Sequence, residues 1–154
     1  MEIQNNHPKI EIRAQILKGS EPFYASHLAS GADLVAVIDG NVEILPGQRI
    51  LVPTGIRLEI PAGFEAQVRS RSGLSLKHGI VCINSPGTID ADYRGEVQVI
   101  LGNLGTEPFI ITPGMRIAQL VFAPVYQAVF IESTPSPSSR GSGGFGSTGI
   151  HSHG

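Results

Sequence analysis

Between positions 83 and 97 the chain gathers an amide, two carboxylates two residues apart, an aromatic ring and a guanidinium: Asn84, Asp90, Asp92, Tyr93 and Arg94. Apolar residues Ile80, Val81, Cys82 and Ile83 lead into Pro86-Gly87, and positions 96–101 leave in alternation, so the stretch reads as a β-hairpin. On an extended strand residues i and i+2 share a face, which sets Asp90 beside Asp92. Crowded carboxylates repel, and one of such a pair can serve as a general base. A solvated acidic turn whose Asp side chains satisfy backbone amides fits the same residue types.

Three further places carry polar groups that need an explanation. Asp33 stands alone between small and apolar residues, as a turn or cap residue or as a metal ligand. At Ser70-Arg71-Ser72-Gly73, Ser72 is placed to cap a short helix over positions 73–77. Free backbone N–H groups near Arg71 would then make an anion site, or the segment is an ordinary capped turn with a surface Arg. Gln119 and Arg116 lie in an apolar run and need partners there, from neighbouring backbone or from a ligand. Arg116 reads as a structural residue.

The elements that must position these groups are short. Positions 9–16 alternate, with Ile10, Ile12, Ala14 and Ile16 on one face of a first strand. Positions 42–45 and 49–52 flank Pro46-Gly47 as a hairpin, and Pro53-Thr54-Gly55 breaks the run before 56–60 alternates again. Strands are expected over 64–69, over Val97, Val99 and Leu101, and over 109–112, 116–122 and 128–132. Short strands, frequent turn signals and no sustained helical periodicity predict an all-β sandwich or barrel with Greek-key-like connections.

From position 133 to 149 the composition turns to Ser, Thr, Pro and Gly, interrupted only by Arg140 and Phe145, which predicts a flexible tail. The domain plan is therefore a β core over 1–132 and an arm over 133–154. Positions 141–146 match GxGxxG, but eight following residues cannot supply a dinucleotide-binding helix and no acidic residue follows for a ribose. His151 and His153 read as a frayed terminus, since two exposed imidazoles without a rigid frame make a poor metal site.

With 154 residues the chain is long enough for one domain with a real core. Its 11 basic and 13 acidic residues provide no basic stripe for nucleic acid or a membrane surface. The single cysteine, Cys82, lies in an apolar run as a buried small hydrophobe, which implies no disulfide framework. A polar N-terminus and the lack of a long apolar stretch make a soluble cytoplasmic protein the expectation.

Asn84 followed by Gly87-Thr88-Ile89-Asp90-Ala91-Asp92-Tyr93-Arg94-Gly95 resembles the third signature motif of the trimeric dUTPases. The other four motifs follow in that family's order. Positions 30–36 around Asp33 resemble the first, Arg71-Ser72-Gly73-Leu74 the second, the run from Arg116 to Leu120 with Gln119 the fourth, and positions 140–149 the fifth. Ala32 replaces a larger residue of the first motif, and Ser70 replaces the Pro that usually precedes the Arg of the second.

The resemblance implies a distorted jelly-roll or β-barrel of short antiparallel strands with one short helix and a Gly-rich C-terminal arm. It implies hydrolysis of dUTP to dUMP and pyrophosphate, with Asp90 activating water for attack on the α-phosphorus. It also implies Mg2+, placed with the help of Asp33 through water. Arg71, Ser72, Gly73 and Gln119 would contact phosphates. Asn84, Gly87, Thr88 and Ile89 would read the uracil, and Tyr93 would pack beneath the deoxyribose. On the arm, Phe145 would stack on the base, while Arg140, Gly146, Ser147 and Thr148 would close on the phosphates. The expected partners are dUTP and two further copies of the chain, in a homotrimer whose sites are shared.

Two alternatives belong to the same fold or family. A dCTP deaminase would need a glutamate beside the hairpin as acid/base, and none is assignable from the sequence. A non-catalytic dUTP-responsive regulator is opposed by an intact Asp90 and an intact arm.

Overall fold

The computed structural model describes residues 8–144. Ten strands and one helix follow in the order β1 (Arg13–Ile16), β2 (Ala32–Val35), β3 (Val42–Ile44), β4 (Arg49–Glu59), β5 (Phe64–Arg69), α1 (Ser72–His78), β6 (Ile80–Cys82), β7 (Gly87–Ile89), β8 (Glu96–Asn103), β9 (Phe109–Ile111) and β10 (Arg116–Pro124). They form one four-stranded sheet in the order β1-β4-β8-β6, a second in the order β2-β10-β5-β7, and a two-stranded sheet of β3 and β9. Among the described residues every pairing is antiparallel, and no sheet closes into a barrel. The all-β class expected from the short alternating runs is the class observed, in the jelly-roll-like form that the resemblance implied.

Period-two alternation builds the core. On β4 and β8 alternate side chains turn inward, bringing Val52, Ile56 and Leu58 against Val97, Val99 and Leu101. Leu34, Ile117 and Leu120 of the second sheet and Ile44 and Ile111 of the third complete the same cluster. Burying such a side chain fully contributes roughly 1.5–3 kcal/mol each. No helix of the described residues is long and apolar enough to cross a membrane.

Several local expectations are corrected. The Pro46-Gly47 turn forms, with Gln48 N donating to Leu45 O at 3.0 Å, but β3 pairs with β9 and β4 with β1 and β8. The two runs flanking that turn are therefore not a hairpin. Pro53-Thr54-Gly55 does not end a strand either. β4 runs through it as a bulge, stepping from Pro53 to Arg57 while β8 steps only from Gln98 to Glu96. Gly55 makes the bulge possible with φ of 70°, and Thr54 Oγ1 donates to Val97 O across it.

At the N-terminal end, β1 is confined to four residues and Ala14 and Ile16 are exposed; only Ile10 and Ile12 are half-buried. The strand expected over 128–132 is absent, since positions 125–144 hold neither helix nor strand. Tyr126, Val129, Phe130 and Ile131 in that run stand 93%, 88%, 94% and 84% exposed.

Asn103 at the end of β8 is wholly buried and was not singled out by its sequence context. Its Nδ2 donates to Ile44 O at 2.9 Å and Glu107 O at 2.8 Å, and its Oδ1 accepts from Gly105 N at 2.8 Å. One amide thus ties the first sheet to the β3–β9 sheet and to the loop before β9.

Candidate active site

Two groups of polar residues are positioned by neighbouring strands. In the second sheet, register sets Asp33 of β2 opposite Gln119 of β10, and Gln119 opposite Arg69 of β5. The chain leaves β5 through Ser70 and Arg71 into α1, which brings the second motif beside the first and fourth. Asp33 Oδ1 forms an ion pair with Arg71 Nε at 3.0 Å, and Oδ2 accepts from Arg116 Nη1 at 3.2 Å. Arg71 Nη1 also donates to Arg116 O at 3.1 Å, and the Arg116 guanidinium lies 6.0 Å from the centroid of the Phe23 ring. Gln119 Nε2 donates to Ser70 O at 3.0 Å, while its amide oxygen lies where a Cβ on Gly31 would stand.

The expected need of Gln119 and Arg116 for partners is met by backbone and by Asp33. The cap at the helix start is different from the one expected. Arg71, not Ser72, is the N-cap residue, and no side chain caps the helix. Ser72 and Gly73 lie exposed in the first turn with their N–H groups unclaimed by a cap.

The second group lines an open cleft of about 250 Å³ beside β7 and β8, whose walls include Thr88, Ile89, Asp90, Tyr93, Glu96 and Gln98. β6 and β8 pair as the arms of the expected hairpin, and between them β7 crosses to the second sheet, where Gly87 lies opposite Val68. Beyond β7 the chain turns, with Tyr93 N donating to Asp90 O at 3.1 Å. Asp90 and Asp92 therefore do not stand side by side on an extended strand, and the premise of a crowded pair on one face falls. Arg94 Nη1 closes the turn by donating to Ala91 O at 2.7 Å.

Tyr93 is held at its far end, its hydroxyl donating to Glu96 O at 3.0 Å. Gly95 allows this, because a Cβ there would overlap the Tyr93 phenol. Asn84 is not part of the cleft wall. Its Nδ2 lies 3.0 Å from where a Cβ on Gly87 would be, so a larger residue at 87 would require that amide to give way. No hydrogen bond or ion pair joins Asp90 to Asp33, Arg71, Arg116 or Gln119 among the described residues.

Two contributors were not selected from the sequence. Ser70 accepts from Cys82 N through its hydroxyl at 2.8 Å, tying the second motif to the base of the hairpin. Glu96 accepts from Gly55 N at 2.8 Å while lining the cleft. Its position as the first polar residue after Gly95 was the available signal. Burial pushes the Cys82 thiol up in pKa, and its hydrogen bond with Ser70 offsets part of that rise.

Of the arm, Arg140 is exposed and its Nε donates to Gly143 O at 2.8 Å, so it closes a local turn within the described residues. Phe145, Gly146, Ser147 and Thr148 lie outside the described residues, as do His151 and His153.

The donor set bears on a divalent cation. Among the described residues no three His, Cys, Asp or Glu side chains cluster to hold a metal. Asp33 offers one carboxylate, already paired with two guanidiniums, and is suited to accept hydrogen bonds from a metal's water shell rather than to enclose an ion. Such a site fits Mg2+ that brings ligands of its own.

The sequence profile of the dUTPase family matches residues 18–149. A deoxyuridine 5'-triphosphate nucleotidohydrolase of Chlamydia felis is 62% identical over 132 residues, covering 83% of this chain and 90% of that protein. The dUTPase of Staphylococcus bacteriophage 80alpha, solved with dUPNHPP, is similar in structure with a TM-score of 0.77 and 26% identity over 92% of this chain and all of that one. A variant dUTPase from phage phi11 of S. aureus, described as coordinating a structural Mg(II) ion, shares the fold with a TM-score of 0.71 at 19% identity, covering 82% of this chain and 98% of that one. Five motifs in order, a jelly-roll-like fold that sets the first, second and fourth side by side, and identity of this depth over most of the chain lead to one conclusion: the chain belongs to the dUTPase family of nucleotidohydrolases.

Proposed function

We propose that the protein hydrolyses dUTP to dUMP and pyrophosphate in the cytoplasm, keeping uracil out of DNA and supplying dUMP for thymidylate synthesis. The observation that carries the proposal is the cleft in which Asp90 and Tyr93 share a wall with Thr88 and Ile89, in a chain 62% identical to a deoxyuridine 5'-triphosphate nucleotidohydrolase.

In this mechanism Asp90, exposed at the cleft rim, accepts a proton from water as that water attacks the α-phosphorus. Pyrophosphate leaves in line. Thr88, Ile89 and the hairpin backbone, with Asn84 and Gly87, meet the uracil edge, where an amide offers both a donor and an acceptor. Cytosine reverses that pattern and would leave buried groups unpaired, which discriminates strongly. Tyr93 packs beneath the deoxyribose and leaves no room for a 2′-hydroxyl.

Arg71, Gln119 and the free N–H groups at Ser72 and Gly73 contact phosphate oxygens, and Asp33 orients Arg71 and accepts from metal-bound water. When bound, Mg2+ neutralises the triphosphate and orients the leaving group. Arg140, Phe145, Gly146, Ser147 and Thr148 close over the bound nucleotide.

The active form is a homotrimer in which the hairpin of one chain, the Asp33–Arg71–Gln119 group of a second and the arm of a third complete each site. Lack of any polar contact between Asp90 and the Asp33 group within one chain supports this sharing, as does the apolar run at 126–131 left bare by its own chain.

Product analysis tests the assignment, with dUTP, dCTP, dTTP and UTP incubated separately with protein and Mg2+. Release of dUMP and pyrophosphate from dUTP alone is expected. Ammonia from dCTP would replace the proposal with a deaminase, and tight dUTP binding without turnover would replace it with a regulator.

A further inference from the structure

The geometry points to Glu96 as a positioning residue that fixes the Tyr93 ring and, through it, the discrimination between deoxyribose and ribose. The second half of this inference rests on the reading of Tyr93 as the ring beneath the sugar.

The Tyr93 ring folds back over Gly95, where a Cβ would overlap its phenol, and its hydroxyl ends on the main-chain oxygen of Glu96 at 3.0 Å. The place of that oxygen, and hence of the ring, depends on how firmly the Glu96 peptide is held. Here the β4 bulge matters. Gly55 turns its N–H out of the ladder at φ of 70°, and the Glu96 carboxylate accepts it at 2.8 Å. Gly55 O is taken by Leu17 N at 2.9 Å, and Thr54 Oγ1 reaches Val97 O. Arg57 Nη1 donates to Arg94 O at 3.3 Å from the other side of the bulge.

The first residues of β8 are thus clamped to the bulge by side chains at the point where regular pairing fails. A charged acceptor makes the strongest of these bonds. Glu96 is only half-buried and lines the cleft, so its carboxylate is close to the site yet already committed to Gly55. It holds the wall rather than touching the reacting atoms.

Without the carboxylate, the Gly55 N–H loses its partner and the Glu96 peptide keeps only its pairing with Arg57, a looser hold that lets it shift and carry the phenol with it. A displacement of this kind opens room at the sugar before it disturbs Asp90, which is fixed by its own turn with Tyr93 N. Selectivity should therefore fall further than turnover.

The test uses the full chain with Glu96→Ala, Glu96→Gln and, as a control, Tyr93→Ala. The ratio of kcat/KM for dUTP to that for UTP is measured, together with the NMR signals of tyrosines labelled with 13C, the Tyr93 signal being the one lost in Tyr93→Ala. Glu96→Ala is expected to move the Tyr93 signal and lower the ratio about tenfold or more, with KM for dUTP rising more than kcat falls. Glu96→Gln keeps an acceptor oxygen for Gly55 N and is expected to restore most of the ratio.

An unmoved Tyr93 signal in Glu96→Ala, or an unchanged ratio while Tyr93→Ala lowers it, overturns the role of Glu96. An unchanged ratio in Tyr93→Ala itself overturns instead the reading of Tyr93 as the sugar-facing ring. Should Glu96→Ala not fold, Glu96→Asp, whose carboxylate stops one methylene short of Gly55, takes its place with the same expected fall in ratio.

Discussion

Asp33 Oδ1 lies 3.0 Å from Arg71 Nε in an ion pair, so the acid of the first motif holds the guanidinium of the second. Arg71 is thereby kept at the start of α1, where the proposed phosphates arrive. Asp33→Ala frees both Arg71 and Arg116. It should lower kcat/KM for dUTP by roughly ten- to a hundredfold, mainly through loss of positioning. The stability cost should be about 1–2 kcal/mol, most of it from the Arg71 pair, because the Arg116 side chain is 48% exposed and water screens its share. Steady-state kinetics and urea denaturation check the two parts separately.

Asp90→Asn keeps the shape of the cleft and of the turn, since the turn uses the Asp90 main-chain oxygen. Turnover should fall by about two to four orders of magnitude, the usual contribution of a general base, with nucleotide binding retained. Calorimetric titration with a non-hydrolysable dUTP analogue decides the matter. Loss of binding in step with activity would remove Asp90 from its assigned role.

Asn103→Ala removes three hydrogen bonds from a wholly buried site and leaves Ile44 O and Gly105 N without their partner. The expected loss is roughly 2–4 kcal/mol, read as a lower urea midpoint at unchanged slope. Kinetic constants measured well below that midpoint should stay near those of the unaltered protein, since Asn103 touches neither polar group of the site.

The Cys82 thiol is held neutral by burial, its pKa raised above the ordinary value in the folded chain. A raised acid favours the folded state while it stays protonated. Its contribution is therefore complete below the unfolded pKa and is lost as pH climbs from that value through the folded one. Replacing Cys82 by Ala should abolish that part of the alkaline fall in melting temperature. A thiol reagent should label Cys82 only as fast as the chain opens.

Alternation carried much of the fold. Val97, Val99 and Leu101 face the core as their spacing requires, and Phe64–Arg69 and Arg116–Pro124 form where apolar runs end in turns. What alternation cannot convey is partnership. Val42–Ile44 pairs with Phe109–Ile111, more than sixty positions away, because the buried faces of Ile44 and Ile111 meet the same core. A Pro-Gly turn alone is indifferent to that. Pro53-Thr54-Gly55 carries every local sign of a break, yet a neighbouring strand and the Glu96 carboxylate hold it as a bulge.

For the site, residue types around Asp90 marked the right stretch, but the turn between Asp90 and Tyr93 is set by Arg94 and by main-chain bonds that spacing does not reveal. The Asp33–Arg71 pair joins residues 38 positions apart and follows from strand register, so nothing near either residue announces it.

The bare run of Tyr126, Val129, Phe130 and Ile131 has a meaning for the life of the chain in a cell. Positions 125–131 carry no charge, and an extended, uncharged, β-prone segment is what aggregation begins from and what chaperones and proteases act on. In the proposed homotrimer partner chains would cover these residues, and a solitary chain would be marked for removal by them. Abundance would then follow how quickly copies meet, and synthesis beyond that rate would be wasted.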